Sequence, residues 1–176
     1  MDSGSTDFDV TVRDGRVVHI RTVRPSDEAE FLQAFHRLSK DARYMRFMRF
    51  VSEPNVERVR EVLASFPKGG GGIVATVPAA DGIDIVGSAV YLVEDEPASC
   101  EFAVTVAAEF CGVGLASKLM TTLIDTAKAH GMMEMEGFVL AINQPMLRLA
   151  RRVGFSVTPD PEDGTVRICR LHLADG

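Results

Sequence analysis

The chain has 176 residues, 46% of them hydrophobic, and carries 25 acidic against 19 basic side chains for a formal net charge of −6. That length suits one compact domain and is short for two, and the acidic balance speaks against non-specific nucleic-acid binding, which needs a basic face. No apolar run approaches the roughly 20 residues that span a bilayer, and residues 1–9 have neither the basic start nor the apolar stretch of a secretory signal, so a cytoplasmic protein with no nucleic-acid or membrane partner is expected.

Residues 1–7 are small, polar and acidic without periodicity and are expected to be disordered, leaving 8–176 as a single domain. Residues 8–13 and 17–24 alternate apolar and polar side chains around Asp14-Gly15, a strong hairpin signal. Pro25-Ser26-Asp27-Glu28 reads as a helix start with acids in the first turn, and Phe31, Ala34, Phe35 and Leu38 follow at helical spacing. A second helical segment, 41–50, sets Tyr44, Met45, Phe47 and Met48 among arginines; Arg43, Arg46 and Arg49 read as its solvated face rather than as the lining of a groove. A third, 55–66, places Val56, Val59, Val62 and Leu63 on one side. The run Gly69-Gly70-Gly71-Gly72 after it reads as a plain loop before a strand rather than a mobile lid.

Strands are predicted at 73–77, 83–93 and 100–106. A long helix follows at 112–131, with Leu115, Leu119, Leu123 and Ala127 one turn apart and Gly131 as its C-cap. Met132, Met133 and Met135 read as core filler. A strand at 137–141, a helix at 145–153 entered through Asn143 and closed by Gly154, and strands at 155–158 and 166–173 complete the chain. This order predicts a mixed α/β fold with one central sheet and helices on both faces. Cys100, Cys111 and Cys169 are odd in number and far apart, and His19, His36, His130 and His172 stand singly, so neither a disulfide framework nor a metal site is expected.

The chemistry concentrates where the strand beginning at Cys100 runs into Glu109-Phe110-Cys111-Gly112-Val113-Gly114-Leu115-Ala116 and a helix leaves at once. Gly112 and Gly114 allow a tight turn. The first amides of the helix have no internal partner and point outward at the positive end of its dipole, a ready site for a pyrophosphate. A P-loop would need Gly-Lys-Ser/Thr, which is absent. A dinucleotide turn is nominally allowed by Gly112-x-Gly114-x-x-Ser117, but the segment follows a meander rather than opening a βαβ unit. Two glycines that merely end a strand and cap a helix are the plainer alternative.

Cys111-Gly112-Val113-Gly114-Leu115-Ala116 resembles the acetyl-CoA-binding turn of the GNAT N-acetyltransferase family, Gln/Arg-x-x-Gly-x-Gly/Ala, with Cys111 in place of the usual Gln or Arg and Val113 where Arg is common. The segment from Ile20-Arg21 to Ser26-Asp27 looks like the family's first strand and helix entry. Asn143-Gln144-Pro145 to Val153-Gly154-Phe155 looks like its later Asn-to-Gly-Phe segment. With residues 38–47 added, the resemblance spans residues 18–173 and is strongest to the bacterial protein-lysine acetyltransferase branch.

The resemblance implies a GNAT-like acyl-CoA N-acyltransferase fold with a mostly antiparallel sheet. It implies acetyl-CoA as co-substrate and transfer of acetyl to a primary amine, a protein lysine or a small amine with the branch resemblance favouring the lysine, by direct attack in a ternary complex. It places the co-substrate against Val104, Thr105, Val106, Cys111, Gly112, Val113, Gly114, Leu115, Ala116, Ser117 and Asn143, and makes Glu101 the general base. A solvent-facing strand glutamate and an N-cap asparagine are the plain alternatives for Glu101 and Asn143. Where many members carry a thiolate-protonating tyrosine, this chain has Leu149-Ala150-Arg151-Arg152, so the thiolate is expected to leave to water. A small-molecule or antibiotic N-acetyltransferase and a non-catalytic acyl-CoA sensor are the rival functions, and a homodimer is compatible with the sequence.

Overall fold

The computed structural model describes residues 6–96 and 98–173. The chain opens with the hairpin β1 (Asp7–Thr11) and β2 (Val17–Thr22), then a 3-10 turn at Pro25–Asp27. Three helices follow: α1 (Glu28–Arg37), α2 (Lys40–Phe47) and α3 (Val56–Ser65). Next come β3 (Gly70–Ala79), β4 (Gly82–Val93) and β5 (Ser99–Val106), and then α4 (Leu115–Ala129), β6 (Glu134–Leu140), α5 (Gln144–Arg152), β7 (Ser156–Pro159) and β8 (Val166–His172). The eight strands of the described residues form one sheet in the order β1-β2-β3-β4-β5-β6-β8-β7, antiparallel except between β5 and β6.

The pleat sends alternate side chains to two cores. Ile73, Ala75, Val86, Cys100 and Phe102 pack against Leu119, Met120 and Leu123 of α4 and Leu147 and Ala150 of α5. The intervening Val74 and Ile85 pack with Val23, Leu63 and Phe31 under α1 and α3. Removing a buried leucine such as Leu119 or Leu123 from such packing costs about 2–5 kcal/mol. At the start of the helical layer, Arg21 holds Asp27 through two hydrogen bonds of 2.9 and 2.8 Å, and Asp27 accepts the Arg24 amide at 2.8 Å. The Arg-Thr-Val-Arg-Pro-Ser-Asp segment is thus a clamp between β2 and α1.

Several expectations are corrected. Of residues 1–7, Asp7 is already in β1 and the Thr6 amide donates to Thr22 Oγ1 at 2.9 Å, while residues 1–5 lie outside the described residues. Gly70, Gly71 and Gly72 are not a loop: they are buried positions of β3, facing β4 so closely that an added Cβ would strike the Tyr91 carbonyl, the Tyr91 ring and Val90. Glycine is there for close approach rather than flexibility. Helix α2 ends at Phe47, where Met48 turns left-handed, rather than at residue 50. Strand β6 starts at Glu134, three residues early, because Glu134 and Glu136 alternate with the buried Met135 and masked the strand pattern. Met133, read as core, is 51% exposed.

Candidate active site

Strands β5 and β6 run parallel but pair only at Ser99–Glu134, Cys100–Met135 and Glu101–Glu136. Beyond Glu101 they part, so the edge of β5 from Phe102 to Val106 lies open towards β6 and forms one wall of a cleft. Because the strands are parallel, both C-terminal ends meet at its mouth. The turn into α4 leaves one of them and the Asn143 entry to α5 leaves the other. Glu101 sits at the apex, the last paired position. Cys100 and Phe102 point into the α4 core. Glu101 and Thr105 therefore point to the opposite face, and Val104 and Val106 point back towards α4, so the three valine and threonine positions 104–106 do not share a face.

At the mouth, Phe110 is buried and anchors the turn. Gly112 and Gly114 have φ of +76° and +91°, in the left-handed region where an L side chain costs roughly 1–2 kcal/mol. An added Cβ at Gly112 would meet nothing within 4 Å among the described residues, so they leave the approach to the backbone there open. Gly114 is the N-cap of α4 and no side chain among the described residues caps the helix; the Lys118 amide makes the first internal bond, to the Gly114 carbonyl at 3.2 Å. The amides of Leu115, Ala116 and Ser117 are thus left for an outside acceptor. The Leu115 side chain is itself core. Asn143 caps α5 by accepting the Met146 amide at 3.4 Å, and α5 is the second helix whose N-terminus looks at the mouth.

An open mouth with two left-handed glycines and an uncapped helix start fits a pyrophosphate, and an unpaired strand edge fits an extended amide-bearing arm. The sequence matches the model of the acetyltransferase (GNAT) domain over residues 18–156. It is 34% identical over 160 residues to Acetyltransferase PA5475 of Pseudomonas aeruginosa, covering 91% of this chain and 86% of that protein. This chain belongs to the GNAT acetyltransferase family. The GNAT domain of S. lividans PAT superposes with a TM-score of 0.83 over 94% of this chain and 96% of that one, at 18% identity. yncA of Salmonella typhimurium, whose structure holds acetyl-CoA as its cofactor, superposes with a TM-score of 0.71 over 90% and 95% of the two chains at 23% identity. This chain shares the fold of these structures; its own described residues form one sheet between helical layers, with β5–β6 as the single parallel pair.

As a GNAT enzyme the chain is an acetyl-CoA-dependent acetyltransferase, and the far end of its cleft is acidic. Register sets Glu101 beside Glu136 across β5 and β6. Glu94, just past β4, joins them: burial first and then Glu136 push its carboxyl up to about 7, and its Oε1 is buried without a hydrogen-bond partner among the described residues. Burial also raises the Glu101 pKa, with Glu136 adding to it and Arg46 opposing. Glu101 keeps one side open to solvent, so the shift comes from the protein packed around its other sides.

Arg46 corrects the reading of the α2 arginines as a solvated face. Its Nε donates to Thr105 Oγ1 at 3.2 Å and its guanidinium lies 4.8 Å from the Phe47 ring centre. Burial works against its charge and Glu101 in favour, and a guanidinium remains protonated all the same. Arg43 is likewise a fastener, donating to the Phe35, His36 and Ser52 carbonyls at 3.2–3.4 Å; Arg49 alone is exposed. No local signal separates Arg46 from its neighbours, because only the docking of α2 on β5 selects it. Among the described residues no group of His, Cys, Asp or Glu side chains is arranged to hold a metal ion, and no helix is long and apolar enough to cross a membrane.

Proposed function

We propose that this GNAT enzyme transfers the acetyl group of acetyl-CoA to a primary amine by direct attack within a ternary complex, with Glu101 as general base and a protein lysine as acceptor. The observation that carries the reading is Glu101 at the apex of the β5–β6 cleft, whose mouth is the Gly112–Gly114 turn. Acetyl-CoA supplies the acetyl group activated as a thioester. The Leu115, Ala116 and Ser117 amides hold its pyrophosphate, and the open edge from Val104 to Val106 steers the arm towards Glu101. Glu101 accepts a proton from the acceptor's ammonium group, so that the amine nitrogen can bond to the thioester carbonyl carbon; as the carbon–sulfur bond breaks, CoA leaves as the thiolate, and the second proton lost by the nitrogen passes through water to give the free thiol. The raised pKa of Glu101 makes it a better proton acceptor than an ordinary carboxylate. The carboxyl cluster of Glu94, Glu101 and Glu136 makes the acceptor end acidic, which favours a cationic partner. Asn143 keeps its capping role and lines the second side of the mouth. A cytoplasmic location goes with this reading.

Release of free thiol from acetyl-CoA, measured with lysine-bearing peptides and with a panel of free small amines, tests it. Turnover with the peptides, and acetyl-lysine found by mass spectrometry in partner proteins, is the expected result. Turnover with small amines alone would remove the protein-lysine acceptor, and the absence of thiol release with every amine would remove amine transfer itself.

A further inference from the structure

We infer that Arg13, from the β1–β2 hairpin, is a phosphate ligand of this acetyl-CoA site, supplying from outside the turn the cation that the turn lacks. The inference rests on the acetyl-CoA reading above. Residues 111–117 contain no Lys or Arg, so the turn meets a pyrophosphate with amides alone. Its own Cys111 adds no charge, because burial and then Glu109 hold the thiol protonated. The hairpin reaches the turn across 93 residues of sequence. Arg16 Nη2 donates to the Glu109 carbonyl at 2.6 Å, the Arg16 Cζ lies 3.8 Å from the Phe110 ring centre, and the Arg13 amide donates to the Val113 carbonyl at 3.1 Å.

That fastening brings the Arg13 side chain over the glycine. A Cβ built on Gly114 would stand 3.5 Å from Arg13 Nε and 3.8 Å from its Cζ and Nη2. Arg16 is occupied by Asp14 at 2.6 Å, whereas Arg13 has no acidic partner among the described residues. Between hairpin and helix lies an open groove of about 360 Å³, and its lining includes Arg13, Gly114, Ser117 and Lys118 but no carboxylate. In a chain of net charge −6, an unpaired arginine, a lysine and a hydroxyl around an uncapped helix start form a local anion site. Phosphate on the reactant's pyrophosphate or on its 3′-position has the chemistry to fill it.

Calorimetric titration of acetyl-CoA into wild type, Arg13→Gln and Arg13→Lys tests the assignment. Arg13→Gln is expected to weaken binding about three- to tenfold at low salt, with the loss shrinking as salt screens the contact, and Arg13→Lys to recover part of it. The side chain is exposed, so the melting temperature of each variant should match wild type and serves as the folding control. Repeating the titration with 3′-dephospho-CoA locates the contact: an effect that persists assigns the pyrophosphate, and one that vanishes assigns the 3′-phosphate. Arg13→Gln binding both ligands as wild type does would overturn the inference while leaving acetyl-CoA as co-substrate. A wild-type protein that binds neither ligand would overturn both.

Discussion

At the mouth of the cleft the working parts are backbone: two left-handed glycines, an uncapped helix start and an unpaired strand edge. At its apex they are side chains: Glu101, Glu136 and Glu94 brought together by register, with Arg46 coming in from α2. The difference is one of tolerance. Amides bind phosphate whatever side chains the turn carries, so Cys111 and Val113 can stand where other members have polar or basic residues. A proton-accepting carboxylate has no backbone substitute. Changes at the apex are therefore expected to act on rate and changes at the mouth on affinity.

The largest effect should come from the apex. Glu101→Gln keeps shape and hydrogen bonding but cannot accept a proton, and general-base catalysis contributes about 100- to 10,000-fold. Its turnover should fall by that range while calorimetric binding of acetyl-CoA stays as in wild type. The wild-type rate depends on ionised Glu101, so it should fall as pH drops through the raised Glu101 pKa. The rate of the variant should instead climb continuously with pH as free amine accumulates. Full turnover of Glu101→Gln near neutral pH would show that Glu101 is only a strand residue.

Next in size is the mouth. Gly114→Glu puts a side chain at a φ of +91° and sets a carboxylate where the phosphate would bind, beside Arg13. Each charge-assisted bond lost is worth about 1.5–3 kcal/mol, and every 1.4 kcal/mol is tenfold in affinity. A drop of roughly 100-fold or more in acetyl-CoA affinity is expected from a folded variant. An unchanged dissociation constant would move the pyrophosphate elsewhere.

The same contrast governs what could be read from the sequence. The mouth is local: Gly112, Gly114 and the helix after them lie within a few residues, and their chemistry follows from chain direction and missing side chains. The layer order was legible for a related reason, since alternation and helical spacing report which face each residue buries. The apex is not local. Glu101 was found through resemblance, but its partner Glu136 sits in a strand whose start the acids disguised, and Glu94 follows the end of β4. Arg46 looks like Arg43 and Arg49 until α2 docks. Arg13 lies 101 residues before Gly114 and no pattern links the two. The glycine run at 69–72 misled because glycine serves both loops and tightly packed strands, and only the Tyr91 and Val90 contacts decide between them.

A subtler change at the apex separates positioning from catalysis. Arg46 opposes the upward shift of Glu101. Arg46→Gln should therefore raise the Glu101 pKa further and move the ascending limb of the rate profile to higher pH, with the plateau rate less affected than in Glu101→Gln. The sign follows from charge: with the guanidinium gone, the carboxylate is harder to form. A limb that stays in place, or moves to lower pH, would mean that Arg46 serves only to hold Thr105 and dock α2.

The smallest expected effect is a gain at the mouth. Val113 stands on the turn between the two left-handed glycines, its carbonyl held by the Arg13 amide and its side chain packed in part against the α4 core. Val113→Arg adds a second cation near the pyrophosphate and gives up some of that packing. A charge contact at a partly exposed position is worth up to about 1 kcal/mol, hence no more than a few-fold tighter acetyl-CoA binding at low salt and none once salt screens it. The melting temperature should drop slightly for the lost contacts. Combined with Arg13→Gln, the substitution separates two pictures of the turn. If both arginines meet the same phosphate, Val113→Arg should help more when Arg13 is missing, because it then replaces a lost contact instead of crowding an existing one. If its effect is the same in both backgrounds, the two side chains act on different parts of the ligand, and Arg13 is left facing the groove beside Lys118.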